Sequence, residues 1–404
     1  MNRNGVEVYV DGVRAGTLSR SDLEPDTFLF GYAAGCEDCH AVSLTMPVVA
    51  DQVDSMGFLH PIFEMNLPEG MLRQRLELMF AKVLRDFDAL TLLDIVGRSQ
   101  VGRLRYASQG KPLDDVPAEN VGHLLAYRGT EDLFSDLLDR YARHSGISGL
   151  QPKVLVRDEA ASIDRITDRG ATHIVKSFNP GEFPELAANE FFSMQAARHA
   201  GLPTARVQLA ESRALLVVER FDRTAAGSYL GFEDFCVLSG LRASGRYSGS
   251  YETLARRVAT FVSPQHHPAA LRQLFGTVAL CSAIGNGDAH LKNFAVLYDA
   301  PGVNVRLAPV YDMLSTRPYL PRDGLALELD GSKAFPSRRQ LMGFARQSCG
   351  LAKPVAEGIL ARVGQGVLAA LAEMQGYAVQ HPDFAKSADR LSQVFREGLA
   401  RLGL

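Results

Sequence analysis

Gly285-Asn286-Gly287-Asp288-Ala289-His290-Leu291-Lys292-Asn293 is the stretch on which the fold of this chain turns. The run before it, Leu271 to Ile284, has helical patterning and stops at the glycine-rich break. After it, Phe294–Leu297 reads as a short strand, with Val305–Ala308 as its hairpin partner and Tyr311-Asp312 directly beyond. The expected order is helix, loop bearing an Asp and an Asn, hairpin, second Asp. Phosphoryl transfer uses that order. One carboxylate orients the attacking hydroxyl and accepts its proton, an amide on the same loop holds a metal ion, and a carboxylate past the hairpin holds metal ions that bridge nucleotide phosphates. The spacing from Asp288 to Asn293 equals that of the protein-kinase catalytic loop. Taken alone, Asn-Gly-Asp and Lys-Asn are also ordinary turn formers; the second Asp beyond a hairpin favours chemistry.

Working upstream, Lys176 sits inside the apolar strand His173-Ile174-Val175-Lys176-Ser177-Phe178. A Lys there is costly unless its charge is paired. A nucleotide phosphate and a helix carboxylate would both suit it, the latter from Glu190 or Glu185 on the next helix. The other reading puts Lys176 on a solvated strand face. That helix runs from about Glu185 to His199, opened by Pro184 and closed by Gly201. A further apolar strand, Ala214–Phe221, ends in Glu219-Arg220-Phe221-Asp222. It is either the strand leading to a kinase hinge, where backbone groups meet adenine, or an ordinary sheet edge. Lys153–Arg157 is also expected to be a strand.

At the N-terminus Val6, Val8 and Val10 alternate with other residues, and Asp11-Gly12 is a hairpin signal. A second β stretch is expected at about 41–49. Glu69–Phe80, with Leu72, Leu76, Met79 and Phe80, and Leu90–Val96 read as helices. Residues 1–105 therefore form a small α/β unit. The polar, proline-containing stretch 107–120 reads as a linker, with helical segments expected on either side of Asp132–Tyr141. Residues 106–225 make a linker and strand-rich lobe, and 226–404 a mainly helical lobe. Its C-terminal bundle is expected to bury Ile359, Val363, Val367, Leu368 and Leu371. No internal repeat or low-complexity tract is visible.

Several segments together resemble one family. Ser148-Gly149-Leu150-Gln151-Pro152-Lys153, His173-Ile174-Val175-Lys176, Asn189-Glu190, Val218-Glu219-Arg220-Phe221-Asp222, Asp288-Ala289-His290-Leu291-Lys292-Asn293 and Pro309-Val310-Tyr311-Asp312 occur in the order seen in HipA-like serine/threonine kinases, the toxins of bacterial toxin–antitoxin systems. Leu67-Pro68-Glu69-Gly70-Met71-Leu72-Arg73 resembles the signature of that family's N-terminal subdomain. The resemblance spans about residues 5 to 335, and its specificity lies in the ordered set rather than in any one motif.

The resemblance implies an α+β, two-lobed protein-kinase-like fold with ATP between the lobes. By position, Asp288 would be the catalytic base, and Asn293 and Asp312 would bind Mg²⁺. Lys176 would meet the phosphates, and Glu219, Arg220 and Phe221 the adenine. Ser148, Gly149, Leu150, Gln151 and Lys153 would form the loop over the phosphates, His290 and Lys292 would lie near the transferred group, and Tyr311 would complete the nucleotide site. Family members phosphorylate proteins, aminoacyl-tRNA synthetases among them. They are restrained by a small helix-turn-helix antitoxin that brings them to DNA indirectly. They also autophosphorylate a serine in the phosphate loop. Here Gly146-Ile147-Ser148 stands where relatives carry a serine at the first position, or at the first and third. Ser148 is accordingly the expected site and Ser145 a poorer one. The phosphate would put negative charge where ATP phosphates bind.

Bulk properties narrow the alternatives. Hydrophobic residues are 46% and charged residues 22%, ordinary globular values, and the net charge of −3 comes without a Lys/Arg run that would mark a nucleic-acid surface. Five cysteines, an odd number, suggest free thiols and a cytoplasmic setting, and no apolar leader or span is expected. Cys36-Glu37-Asp38-Cys39-His40 matches a haem-attachment pattern, but haem attachment generally needs export and a zinc site would want a second Cys pair. A surface loop with free thiols is expected. His266-His267 receives no role. No Walker or dinucleotide glycine motif occurs. Two rivals to the protein kinase remain: a small-molecule kinase sharing the catalytic loop, and a non-catalytic partner of a DNA-bound repressor.

Overall fold

A computed structural model describes residues 5–24, 26–80, 88–108, 110–111, 113, 118–126, 133–147, 153–158, 171–178, 181 and 183–404. Two compact units emerge. One comprises Met1–Ser177, Ala210–Ala243 and Leu297–Asn304; the other Phe178–Leu209, Ser244–Val296 and Val305–Leu404.

The first unit begins with an antiparallel five-stranded sheet in the order Val53–Met56, Thr27–Tyr32, Val13–Arg20, Gly5–Val10, Leu104–Ala107. Asp11 and Gly12 both have left-handed φ, 52° and 81°, the primed two-residue turn that matches strand twist. Val6, Val8 and Val10 point into a core shared with Phe30, Phe63, Leu92, Leu93 and Tyr106. Helix Gly70–Phe80 buries Leu72 and Leu76 but leaves Met79 and Phe80 partly exposed. Helix Ala89–Val96 is capped by Asp88, whose Oδ1 accepts from Thr91 N at 2.8 Å.

The expected strand at 41–49 does not form; a single bridge, Ser43↔Met46, is all that pairs there. The backbone donors there go to scattered acceptors instead of a ladder: Val42 N to Tyr32 Oη at 3.0 Å, Thr45 N to Ser43 Oγ at 3.0 Å and Met46 N to Ser43 O at 3.3 Å, while the buried Glu233 takes one more. Ser43 Oγ donates to its Oε2 at 2.6 Å and Leu44 N to Oε1 at 2.8 Å, with Tyr298 Oη adding a third bond at 2.7 Å.

The same unit holds a second set of strands, Lys153–Asp158, His173–Ser177 and Leu215–Glu219, paired antiparallel around the central His173 strand. Val154, Val175 and Val217 face one another across the register and are completely buried. The linker reading of 107–120 needs correction at Ala118–Glu119, which pairs in parallel with Arg157–Asp158. Residues 109, 112 and 114–117 lie outside the described residues, as does Asp132; a helix occupies Leu133–Tyr141 itself, where helix was expected only on either side.

The second unit is mainly helical. Helix Lys353–Gln380 packs against Leu186–His199, His267–Ile284 and Ala385–Leu402. It buries Ile359, Val363, Val367 and Leu371, while Leu368 is 54% exposed. Leu368 lies one residue, about 100° of helix turn, from Val367 and so leaves the apolar stripe. This 28-residue helix is long and apolar enough to cross a membrane, contrary to the expectation of no such stretch. Half of its most apolar window is buried by its neighbours, as in a core helix. Helix His267–Ile284 starts earlier than expected, with Pro268 in its first turn, and ends at Gly285 with φ 67°, a left-handed cap. That cap turns the chain into the 285–293 loop.

Candidate functional site

The loop after helix His267–Ile284 is built on its own backbone. Asn286 is buried, and its Oδ1 accepts from Asp288 N at 2.9 Å, an Asx-type turn that aims the Asp288 side chain outward. Thr316 braces the start of the loop: its N donates to Gly285 O at 3.0 Å and its Oγ1 accepts from Gly287 N at 2.9 Å. A Cβ on Gly287 would lie 2.0 Å from Asp323 Oδ2 and 2.4 Å from Gly324 O, so only glycine fits. The far side is held by Tyr251 Oη on Ala289 O at 3.0 Å and by Leu291 N on Arg246 O at 3.0 Å.

Asp288 Oδ1 accepts a hydrogen bond from the phenol of Tyr247 at 2.6 Å. Burial, and then the hydrogen bond to the Asp288 carboxylate, push that phenol up to about 12, so it remains a donor at neutral pH. The Tyr247 ring meets the His290 ring edge-on at 5.0 Å. Burial lowers the His290 pKa, favouring the neutral imidazole. Its Nδ1 is buried and has no hydrogen-bond partner among the described residues.

Asn293 and Asp312 come together as the spacing implied. Asn293 Nδ2 donates to the Asp312 carbonyl oxygen at 3.4 Å, while Asn293 Oδ1 is buried with no partner among the described residues. An amide has two acceptor lone pairs on that oxygen, and here they are free to meet a cation. Asp312 has φ 52°, a left-handed conformation that costs a non-glycine residue about 1 kcal/mol or more. The surroundings hold it there. Asn189 clamps the segment just beyond, its Oδ1 accepting from Ser315 N at 2.8 Å and its Nδ2 donating to Ser315 O at 2.7 Å. Tyr311 Oη donates to Lys292 O at 2.7 Å and so ties the second Asp segment back to the loop. The hairpin between them is present as Ala295–Tyr298 and Arg306–Leu307, with Ala308 N donating to Ala295 O at 2.8 Å. Asp288, His290, Lys292, Asn293, Tyr311 and Asp312 thus belong to one unit, which also buries Glu190 on helix Leu186–His199.

Lys153, Lys176, Glu219, Arg220 and Phe221 belong to the other unit. Lys176 is not on a solvated face: it is 3% exposed, and Lys153, directly opposite it in register, is 6% exposed. Glu219 is exposed and Phe221 half-buried against Phe232. Arg220 differs from both. Its guanidinium is buried and bonded to Asp222 at 2.6 and 2.9 Å, to Gln100 O at 2.9 Å and to Ala171 O at 3.2 Å. Burial alone would discharge the pair, but the Asp222 charge holds Arg220 protonated, and Arg220 holds the Asp222 carboxyl below its usual range. The Arg220 N–H is also taken, by Thr172 O at 3.0 Å. Its side chain is a structural tie.

Ser148, Gly149, Leu150 and Gln151 lie outside the described residues. Just before them, Ser145 is buried, its Oγ donating to Tyr141 O at 2.8 Å and accepting from Leu155 N at 2.9 Å. Gly146 is pinned by its N on Ser99 O at 2.9 Å, and a Cβ there would fall 1.9 Å from the Gln100 side chain. A side chain at this position would require the Gln100 amide to move.

Sequence reading assigned nothing to Tyr247 or Thr316 and gave Asn189 no role. Their signal lies in tertiary contacts, 41 residues from Asp288 for Tyr247 and 126 from Ser315 for Asn189.

Comparison with known proteins gives the family. The model of the HipA-like C-terminal domain matches residues 145–371 and that of the HipA N-terminal domain residues 6–107. "Putative kinase Y4mE" of Sinorhizobium fredii is 31% identical over 285 residues, 64% of each chain. "Putative kinase Y4dM" of the same organism is 29% identical over 296 residues, 68% of this chain and 66% of that one. The chain thus spans just under two thirds of the length of these relatives. Among solved structures, the Shewanella oneidensis HipA, HipB and operator DNA complex includes a chain of the same fold, with TM-score 0.72 at 21% identity over 99% of this chain and 98% of that one. Since one family model alone covers more than half of the 404 residues, the chain belongs to the HipA-like family.

Proposed function

We propose that the chain is an ATP-dependent protein serine/threonine kinase and the toxin of a toxin–antitoxin pair. The observation that supports this most is the Asn293–Asp312 pair, with one amide nitrogen on the Asp312 carbonyl and the amide oxygen buried and unpartnered. A buried acceptor left unsatisfied costs about 1–3 kcal/mol, and a hard cation with oxygen ligands removes that cost. Asn293 Oδ1 and the Asp312 carboxylate would hold Mg²⁺, which when bound neutralises charge on the nucleotide phosphates.

The remaining roles follow from the side chains. Asp288 orients an attacking hydroxyl and takes its proton, from a position where a phenol already donates to it at 2.6 Å. Lys153 and Lys176, buried and adjacent, supply positive charge for phosphates. His290 and Lys292 follow Asp288 on the same loop. Glu219 and Phe221 meet adenine through backbone groups, with Arg220 fixing their strand end from inside.

Ser148 is the autophosphorylated residue. Gly146 has no hydroxyl, and the Ser145 hydroxyl is buried with donor and acceptor both engaged. On family grounds the substrate is a translation component such as an aminoacyl-tRNA synthetase, and the partner is a small helix-turn-helix antitoxin through which DNA is met indirectly. ADP production by purified chain with ATP and Mg²⁺, beside Asp288→Ala, tests the reading. Turnover dependent on Asp288 supports it; turnover unchanged in the variant rejects Asp288 as base.

A further inference from the structure

The turn from Cys36 to His40 takes no part in the chemistry above, and its side chains converge. Cys39 Sγ lies 3.5 Å from His40 Nδ1 and 3.6 Å from Glu37 Oε2, and all three donor atoms fall within 4.8 Å of one another. A tetrahedral zinc ion has metal–sulfur distances of about 2.3 Å and metal–nitrogen or metal–oxygen distances of about 2.0–2.2 Å. Those distances set the sulfur–nitrogen and sulfur–oxygen edges of the tetrahedron at about 3.6 Å. The two separations from Cys39 Sγ match these edges, and the third, between the His40 and Glu37 donor atoms, is bounded by 4.8 Å.

The backbone beneath the three donors is also fixed. Arg103, buried, donates from Nη1 to Cys39 O at 3.0 Å and from Nη2 to Ala41 O at 2.9 Å. The Arg103 charge is offset by Asp11 at 3.4 Å. His40 N donates to Glu37 O at 2.9 Å, Cys36 N to Ala33 O at 3.0 Å, and Val42 N to Tyr32 Oη at 3.0 Å. Glu37 and Cys39 are exposed, so an ion has access and water can complete the set. A carboxylate, that of Glu37, joins the thiol and imidazole in place of a second Cys pair.

We propose that Glu37, Cys39 and His40 form a site for a soft, four-coordinate divalent cation of the zinc type, with the fourth position open to solvent. A thiolate with an imidazole and one carboxylate selects such an ion over magnesium or calcium. The site stands independently of the kinase reading.

Cobalt(II) titration of the reduced, chelator-stripped, tag-free full chain tests it, because thiolate-to-cobalt charge transfer and four-coordinate d–d bands report the donor set directly. One equivalent of cobalt is expected to produce both, and zinc to displace it. Cys39→Ser and His40→Ala, checked for unchanged circular dichroism, should each weaken zinc binding by more than the about 10–100-fold that an outer-shell change costs. Cys36→Ser should keep the bands. Absence of charge transfer at one equivalent, bands that persist in Cys39→Ser, or bands lost in Cys36→Ser alone would each overturn the assignment.

Discussion

The phenol of Tyr247 donates to Asp288 Oδ1 at 2.6 Å, where the proposed reaction requires a substrate hydroxyl. Lys333 Nζ donates to the Tyr247 carbonyl at 3.4 Å and helps hold the segment in place. An incoming serine must displace this phenol. A net hydrogen bond of about 0.5–1.5 kcal/mol corresponds to an increase of about 2- to 10-fold in the initial phosphorylation rate of Tyr247→Phe at subsaturating protein substrate. A slower variant would show that Tyr247 positions Asp288 instead of competing for it.

Asn293→Ala removes the unpartnered oxygen and the bond to the Asp312 carbonyl together. Activity should fall by about 100-fold or more, as when one preorganised electrostatic contact is lost at other reacting centres. The magnesium concentration for half-maximal rate should rise. Unchanged magnesium dependence would assign the metal to other groups.

Gly146→Ser places a Cβ 1.9 Å from the Gln100 side chain. Overpacking of this kind costs about 1–3 kcal/mol, read as a lower melting temperature. Gln100→Ala should relieve it, so the double variant should be more stable than the two single losses add up to. Additive losses would mean that the clash is absorbed elsewhere.

Arg220 and Asp222 set a pH limit. Asp222 binds its proton less tightly in the folded chain than in the unfolded one. Its stabilisation is therefore complete above the unfolded carboxylate value, about pH 4, and is lost as pH falls through the lower folded value. Arg220→Met leaves a buried carboxylate unpaired, and should cost about 3–5 kcal/mol near neutrality. Denaturant melts from pH 3 to 7 should show the variant closing on the wild type only at the acid end. A constant gap would contradict the pair's role.

Legibility in the sequence followed the range of the interactions. Val6, Val8 and Val10, the Asp11-Gly12 turn and the Gly285 cap are local signals, and all three formed. The 41–49 stretch failed because its backbone donors go to separate acceptors, among them Tyr32 Oη and, some 190 residues away, Glu233. Spacing alone brought Asn293 to Asp312, since a hairpin is a short connection. Nothing in the spacing disclosed that Arg220 turns inward or that Tyr247 reaches Asp288, because both depend on segments that meet only after folding. Leu368 shows the limit of apolar counting: its hydropathy suits the core, but its angle on the helix does not.

The most direct measurement of the central claim is phosphosite mapping by mass spectrometry. Phosphatase-treated, refolding-controlled chain would be incubated with labelled ATP and Mg²⁺ beside Asp288→Ala and Ser148→Ala. The account predicts one phosphate on Ser148 of the wild type, none in Asp288→Ala, and continued transfer to a protein substrate by Ser148→Ala. Label on another residue would contradict the Ser148 assignment, and equal label in Asp288→Ala would contradict the proposed base.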